Sequence, residues 1–226
     1  MYWDSTMIIL IPAIIFSIAA QIMVKSAFSE YSKVRNSRGL TGADAAREIL
    51  DRNGLTNVRI EHISGSLTDH YDPKANVIRL SDDVYGSATV AAVGVAAHEA
   101  GHAVQYAEGY YPIKIRNAII PVTRFGSSLS TPLVILGLVL SWDFLITAGI
   151  LLFCAVVLFQ AITLPVEFNA SGRALKTLRS SHFLEDDEMK GARSVLTAAA
   201  MTYVAAMLSA LLSLVRLLVI SGRRRR

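Results

Sequence analysis

The stretch LITAGILLFCAVVLF, residues 145–159, contains one threonine as its only polar side chain. It lies inside a longer run, residues 144–166, that has no Asp, Glu, Lys, Arg or His. A bilayer core about 30 Å thick is crossed by about 20 apolar residues in a helix, so this run predicts a membrane span. Cys154, the only cysteine, lies within it. A disulfide framework or a cysteine-based zinc site within one chain is therefore excluded.

Three other runs without charged residues or histidine indicate further spans, at residues 5–24, 125–142 and 194–215. The run at 125–142 is the weakest because its first third, FGSSLSTP, is polar. The run at 5–24 is interpreted as a retained anchor, since no basic segment precedes it and no small-residue cleavage site follows it. We therefore expect a mainly α-helical integral membrane protein with three or four transmembrane helices and a small cytoplasmic α+β domain.

The distribution of lysine and arginine predicts the orientation of the chain. Residues 25–124 contain twelve of them and residues 167–193 contain five, whereas residues 1–4 and the turn at 141–143 contain none. Segments rich in these residues stay in the cytoplasm, so both are predicted to be cytoplasmic. The expected organisation is a span at 5–24, a cytoplasmic domain at 25–124, spans at 125–142 and 144–166, a cytoplasmic segment at 167–193, and a span or re-entrant helix at 194–220.

The basic residues at the end of the chain leave the last run open. Arg216 and Arg223–Arg226 would lie outside the cell if this run spans the membrane, which opposes the trend of the other loops. The net charge of +4 mostly reflects basic residues close to the predicted spans, where they can interact with anionic lipid. The lipid bilayer is thus an expected partner, and nucleic acid is not, because the basic residues are not clustered with aromatic residues. The sequence does not indicate an oligomeric state.

The segment after the first span predicts a small α+β arrangement. In TGADAAREILDRNGL, residues 41–55, Thr41 can cap a short amphipathic helix, Asp44 completes a capping box and Gly54 ends the helix. NVRIEHI, residues 57–63, alternates like a strand, and VIRLS, residues 77–81, predicts a second strand after the turn signal DHYDPKAN.

The alanine-rich stretch VYGSATVAAVGVAAHEAGHAVQYAEGY, residues 84–110, predicts a closely packed core helix. His98 and His102 are four residues apart, so both imidazoles face the same side of such a helix and can bind one metal ion. Glu99 can then serve as the general base for a water molecule that zinc activates. The alternative is a pair of core histidines with no metal.

A catalytic zinc ion requires a third protein ligand in addition to water. The remaining histidines are His62, His70 and His182, and the strongest carboxylate candidate is Glu167. Glu167 follows Pro165, where the third span is expected to reach the side that carries the histidine helix. The alternative for Glu167 is a solvated charge at the end of a span.

The chain resembles the YugP-type family of membrane zinc metallopeptidases. Three segments carry the resemblance: HEAGHAVQYAEGYYPIKIRNAIIPV, LTDHYDP with VIRLS, and especially LPVEFNASGRAL. It extends from NSRGLTGADAAREIL to TAAAMTYVAA, which is most of the chain. More remotely, the chain is similar to the HtpX and CaaX-prenyl membrane proteases, in which a helix after a span supplies a glutamate ligand.

The resemblance implies a role for each matching residue. His98, His102 and Glu167 would hold one Zn²⁺ per chain, Glu99 would be the catalytic base, and the cytoplasmic domain would be zincin-like. The family usually reads VEFDAS where this chain has Asn169. An aspartate there could accept a hydrogen bond from a ligand histidine, a role that asparagine fills without the charge.

The resemblance also implies a substrate strand. VIRLS, with its preceding Asn76, would be an edge strand that pairs with the substrate backbone; its residues are Asn76, Val77, Ile78, Arg79 and Leu80. A simple core-edge strand is the alternative.

Three further side chains are candidates for stabilising the transition state. His70 and Tyr71 could donate to the developing oxyanion, although a turn capped by Asp69 or Asp72 explains the same segment. Tyr203, in the last apolar run, is a more distant candidate for the same task.

The expected function is a zinc-dependent endopeptidase in the cytoplasmic membrane, with its active site facing the cytoplasm. Its substrates would be peptides or membrane proteins, hydrolysed by glutamate-assisted attack of zinc-bound water. The main alternative is a non-catalytic zinc-binding membrane scaffold or subunit. A transporter or channel is disfavoured because the predicted spans contain no Asp, Glu or Arg away from their ends.

Overall fold

The computed structural model describes residues 5–224, which form two compact units. The first, here called the helical unit, consists of the residues up to Ala20, Pro112–Pro165 and the residues from Thr202 onward. The second, the mixed unit, consists of Gln21–Tyr111 and Val166–Met201.

The elements follow the predicted order, with one strand more than expected. A 3₁₀ helix at Ser5–Leu10 leads into α1, and the elements are α1 (Ile11–Tyr31), α2 (Gly42–Arg52), β1 (Arg59–His62), β2 (His70–Asp72), β3 (Val77–Leu80), α3 (Val90–Ala107), α4 (Tyr111–Leu140), α5 (Asp143–Ser180) and α6 (Asp186–Arg224).

Within residues 5–224, four helical segments are long and apolar enough to cross a membrane, which agrees with the larger of the two predicted numbers. They are Ser5–Tyr31, Tyr111–Leu140, Asp143–Ser180 and Asp186–Gly222. The last apolar run therefore lies within one continuous helix, α6, that also includes the acidic segment before it. Whether this helix crosses the bilayer stays a prediction.

Close backbone contacts hold α4 and α5 together in the helical unit. A Cβ atom at Gly149 would lie 2.6 Å from the Ser130 carbonyl oxygen, and one at Gly126 would lie 3.0 Å from that of Leu152. Small residues at such contacts are typical of helices that pack in lipid, where no hydrophobic effect drives them together. Apolar side chains such as Val139 and Leu151 are exposed on the surface of these helices, as expected for positions that contact lipid.

The predicted capping of α2 is confirmed. The Thr41 hydroxyl accepts a hydrogen bond from the Asp44 amide, and the Asp44 carboxylate accepts one from the Thr41 amide. Gly54, with φ of +72°, follows the end of the helix, where a left-handed residue is needed. The apolar face of α2, which includes Ile49 and Leu50, is buried against α3.

The mixed unit contains a three-stranded sheet in the order β1-β3-β2. β1 is parallel to β3, with Arg59 opposite Val77, and β2 is antiparallel to β3, with His70 opposite Arg79. The two predicted strands are confirmed. The predicted turn DHYDPKAN, residues 69–76, is only partly a turn, because His70–Asp72 form β2. The turn follows β2, and the Asp72 carboxylate accepts hydrogen bonds from the amides of Lys74 and Ala75.

The prediction that VIRLS is an edge strand is wrong. β3 lies between β1 and β2, so both of its backbone edges are paired, and Asn76, which precedes it, lies in the turn. Val77, Ile78 and Leu80 are completely buried.

Candidate metal centre

Three donor atoms from two helices of the mixed unit converge at one point. His98 and His102 lie one turn apart on α3, with their rings edge to face and the ring centroids 4.7 Å apart. Glu167 lies on α5, and its Oε2 is 3.3 Å from His98 Nε2 and 3.4 Å from His102 Nε2. Glu167 is almost fully buried and both histidine side chains are largely buried. These three residues form the one such cluster found within the described part of the chain.

The separations fit a tetrahedral metal ion. Zinc binds histidine nitrogen and carboxylate oxygen at about 2.0–2.2 Å, which places two ligands of a tetrahedron about 3.3–3.6 Å apart. The two nitrogen–oxygen distances, 3.3 Å and 3.4 Å, agree with this spacing. The three residues could therefore hold a metal ion.

The outer nitrogen of each histidine has its own hydrogen-bond partner. His98 Nδ1 is 3.1 Å from Ser171 Oγ, and His102 Nδ1 is 3.0 Å from Gln105 Oε1. Metal-binding histidines usually have such a partner, because it fixes the ring orientation and leaves the other nitrogen for the metal. Both imidazoles therefore present Nε2 to the cluster.

The electrostatic environment of His102 favours positive charge. Burial lowers the pKa of His102, but a hydrogen bond to Glu167 and the negative charges of Glu99 and Glu167 raise this pKa more strongly, so it lies above its ordinary value. Because the surrounding carboxylates stabilise a cation at this point, they would also stabilise a metal ion there.

Gly101, which lies between His98 and His102 on α3, allows α3 and α5 to approach each other closely. A Cβ atom at Gly101 would lie 2.9 Å from the carbonyl oxygen of Ala170 on α5. Ala170 is three residues after Glu167, so the contact sets the distance of the glutamate from the histidine helix. Another residue at 101 must push against backbone, which moves less readily than a side chain.

We expect Gly101→Ala to lower both stability and zinc affinity. Overpacking of this kind typically costs about 1–3 kcal/mol, more than the roughly 1 kcal/mol that alanine gains over glycine in a helix. Gly172→Ala on α5 is the matched control, because a Cβ atom there contacts nothing within 4 Å. Thermal melting and zinc titration should show a loss for Gly101→Ala and none for Gly172→Ala. Equal behaviour of the two variants would contradict the role assigned to Gly101.

Asn169 is hydrogen-bonded to Gln105 and Arg173 and not to a ligand histidine, contrary to the expectation from the sequence. Its Oδ1 accepts hydrogen bonds from Gln105 Nε2 at 2.8 Å and from Arg173 Nε at 2.7 Å. The partners of the histidines are instead Gln105 and Ser171, which sequence reasoning missed. Their spacing was a usable signal, because Gln105 is three residues after His102 and Ser171 is four after Glu167, both within one helical turn.

The other candidates from the sequence lie outside the cluster. His62 is 2.6 Å from an Asp82 oxygen, and His182 lies in the turn between α5 and α6. The His70 ring is exposed and is hydrogen-bonded to the Thr68 carbonyl oxygen. Tyr203 lies on α6 in the helical unit, and its assistance to the reaction stays a prediction.

The segment around His70 and Tyr71 is held by local contacts. The Tyr71 hydroxyl donates to Asn76 Oδ1, and its ring meets that of Tyr106 on α3 edge to face. Asp69 accepts from the amide and hydroxyl of Ser81 rather than capping the turn, and its pKa is raised by burial, which outweighs these hydrogen bonds. A role of His70 or Tyr71 in stabilising an oxyanion stays a prediction.

The fold and the cluster together define a membrane protein with a candidate metal site of two histidines and one glutamate. Residues 6–222 match the family described as "Putative neutral zinc metallopeptidase", and the chain belongs to this family. It is 49% identical, over 210 residues and 93% of each chain, to a protein of Bacillus subtilis (strain 168) described as "Putative membrane protease YugP". No solved structure matches the chain. The family and this relative confirm the resemblance inferred from the sequence.

Proposed function

We propose that this protein is a zinc-dependent endopeptidase of the cytoplasmic membrane, with one zinc ion held by His98, His102 and Glu167. The observation that carries the proposal is the convergence of their three donor atoms, with the Glu167 oxygen at distances from both histidine nitrogens that suit a tetrahedral ion. The membership in a family of zinc metallopeptidases and the similarity to a membrane protease support the choice of metal and of reaction.

Glu99 is the proposed general base. When bound, zinc would lower the pKa of water to about 7 and polarise the substrate carbonyl. Glu99 adjoins His98 in sequence, is largely buried, and is not a member of the ligand cluster. Its carboxylate is therefore available to accept the proton of the attacking water and to pass it to the amine that leaves.

Substrates are proposed to be peptides or unfolded segments, including those of membrane proteins, that bind in an extended conformation. With β3 in the centre of the sheet, the strand that fits this task is β2. β2 contacts α3, which carries the two histidines, and within the described residues its outer edge pairs with no other strand. An extended peptide could add to this edge through backbone hydrogen bonds.

The mixed unit is proposed to be cytoplasmic. The two segments that supply most of it, residues 25–124 and 167–193, contain seventeen of the 22 lysines and arginines of the chain. Because positively charged loops are retained in the cytoplasm, this bias supports an active site on the cytoplasmic side. A zincin-like domain at 25–124, with spans at the boundaries given above, is part of the same proposal.

Metal removal tests the function. We expect the purified protein in detergent or nanodiscs to cleave unfolded peptides, to lose this activity after treatment with a strong chelator, and to regain it when zinc is added. Magnesium, which prefers six oxygen ligands, serves as the control and should not restore cleavage.

Two results would contradict the proposal. The first is cleavage that continues in a preparation shown by metal analysis to be free of zinc. The second is one zinc ion per chain with no hydrolysis across a broad peptide library, which would support the non-catalytic scaffold instead.

A further inference from the structure

Gln105 is a completely buried amide that links a ligand histidine to the second helix of the site. It lies on α3, three residues after His102, and none of its surface is exposed. Its Oε1 is 3.0 Å from His102 Nδ1, and its Nε2 donates to the Val166 carbonyl oxygen at 2.9 Å and to Asn169 Oδ1 at 2.8 Å. Every hydrogen-bonding atom of this side chain therefore has a partner.

These partners determine which way the amide faces. The Val166 carbonyl oxygen can only accept, so it requires the NH₂ group of Gln105. Asn169 Oδ1 also accepts, because it faces the Arg173 guanidinium, which can only donate. Arg173 is itself held by Glu108 through a contact of 2.7 Å between Nη1 and Oε2. The Gln105 oxygen is left facing His102.

The orientation of the amide in turn determines the tautomer of His102. An amide oxygen has no hydrogen to donate, so a hydrogen bond to it requires a proton on His102 Nδ1. A neutral imidazole carries only one proton, so in the neutral form Nε2 keeps the lone pair that a metal ion needs, on the side of the ring that faces Glu167 Oε2, 3.4 Å away. This is the tautomer that can bind a metal ion through Nε2.

We infer that Gln105 is a positioning residue that sets His102 in its metal-binding tautomer, and that Val166, Asn169 and Arg173 hold Gln105 in the orientation that this requires. The inference rests on the proposed function, in which His102 is a metal ligand. It also gives Asn169 a task that does not need a negative charge: an acceptor oxygen is sufficient, and aspartate at this position would provide the same.

The alternative is that Gln105 only ties α3 to α5 through the Val166 carbonyl oxygen. Two substitutions separate the roles. Gln105→Met is similar in size but removes both the acceptor for His102 and the donors to α5. Gln105→Glu retains an acceptor for His102 but has no NH₂ group for Val166 and Asn169. If Gln105 determines the tautomer, the position of the proton on His102 must depend on whether residue 105 offers an acceptor. It must not depend on the hydrogen bonds from residue 105 to α5.

The tautomer can be measured on the metal-free protein by nitrogen NMR of chains labelled with [¹⁵N]histidine, at a pH high enough that the His102 imidazole is neutral. The His102 signals are identified by their absence from His102→Gln. We expect a proton on Nδ1 in the wild type, in Asn169→Asp and in Gln105→Glu, and a mixture of tautomers in Gln105→Met. Zinc affinity of Gln105→Met should fall about 10–100-fold, the usual effect of losing an outer hydrogen-bond partner of a ligand.

Asn36→Ala is the matched control, because Asn36 is another buried amide of the mixed unit and is bonded to Leu40. It should lower the melting temperature without changing the His102 signals. The inference is overturned if Gln105→Met retains the wild-type tautomer and zinc affinity, even when its melting temperature falls. A protein that binds zinc but cleaves nothing would overturn the proposed function and leave this NMR result unaffected.

Discussion

Glu99→Gln is expected to bind one zinc ion per chain, as the wild type does, and to lose peptide hydrolysis. Glutamine has nearly the shape of glutamate, and residue 99 is not among the three residues that converge on the metal position. What the substitution removes is the ability to accept a proton. Because a positioned general base contributes about 10²–10⁴-fold to a rate, we expect a loss of that order.

The experiment compares zinc content and cleavage rate in the same preparations. Glu48→Gln is a suitable control, since Glu48 is on α2 and pairs with Arg52 on the surface. It should retain both properties. Cleavage by Glu99→Gln at the wild-type rate would contradict the assignment of the base, and loss of zinc from this variant would show that Glu99 contributes to metal binding.

The long apolar helices of the fold could be predicted from the sequence because they depend on one property, hydrophobicity, summed over many residues. A helix in lipid satisfies its own backbone groups, so a run of about 20 apolar residues is sufficient to predict it. The capping of α2 by Thr41 and the end of this helix at Gly54 were predictable for a similar reason, since both depend on residues only three or four positions apart.

The order of the strands could not be predicted in the same way. VIRLS was correctly recognised as a strand, but its neighbours depend on which segments meet across the sheet. The short strand β2 was hidden because His70–Asp72 contains turn-forming residues and is only three residues long. Local propensity cannot distinguish such a strand from a turn, so its pairing with β3 decides the outcome.

The metal site likewise combines contacts between residues close in sequence, which could be predicted, with a contact between residues far apart in sequence. His98 and His102 are on one helix, and their spacing was enough to predict that they face the same point. That Glu167 meets them depends on the close contact of Gly101 with Ala170, between residues about 70 positions apart. The position of Glu167 at the end of the third predicted span made it the strongest carboxylate candidate, the resemblance to a known family implied the same residue, and the structure brings it within 3.4 Å of both histidines.

Glu167→Ala is expected to lose the zinc ion while remaining folded. The two histidines alone offer only two ligands, and a catalytic zinc site uses three protein ligands. Loss of an outer partner already weakens binding about 10–100-fold, so removal of a ligand should weaken it by more than 100-fold. Glu167→Gln should give an intermediate affinity, because its amide oxygen can still approach the metal but has no negative charge.

The substitution also separates loss of the metal from loss of the fold. In the metal-free protein Glu167 is a nearly buried carboxylate beside two imidazoles, and without it these imidazoles can become neutral, so that no unpaired buried charge remains. Helical content by circular dichroism should therefore remain at the wild-type level in Glu167→Ala, while metal analysis finds less than one zinc ion per chain. Glu30→Ala, an exposed glutamate on α1, is the control and should retain zinc. If Glu167→Ala kept one zinc ion per chain with wild-type affinity, Glu167 would not be a zinc ligand, and the proposed metal site would be wrong.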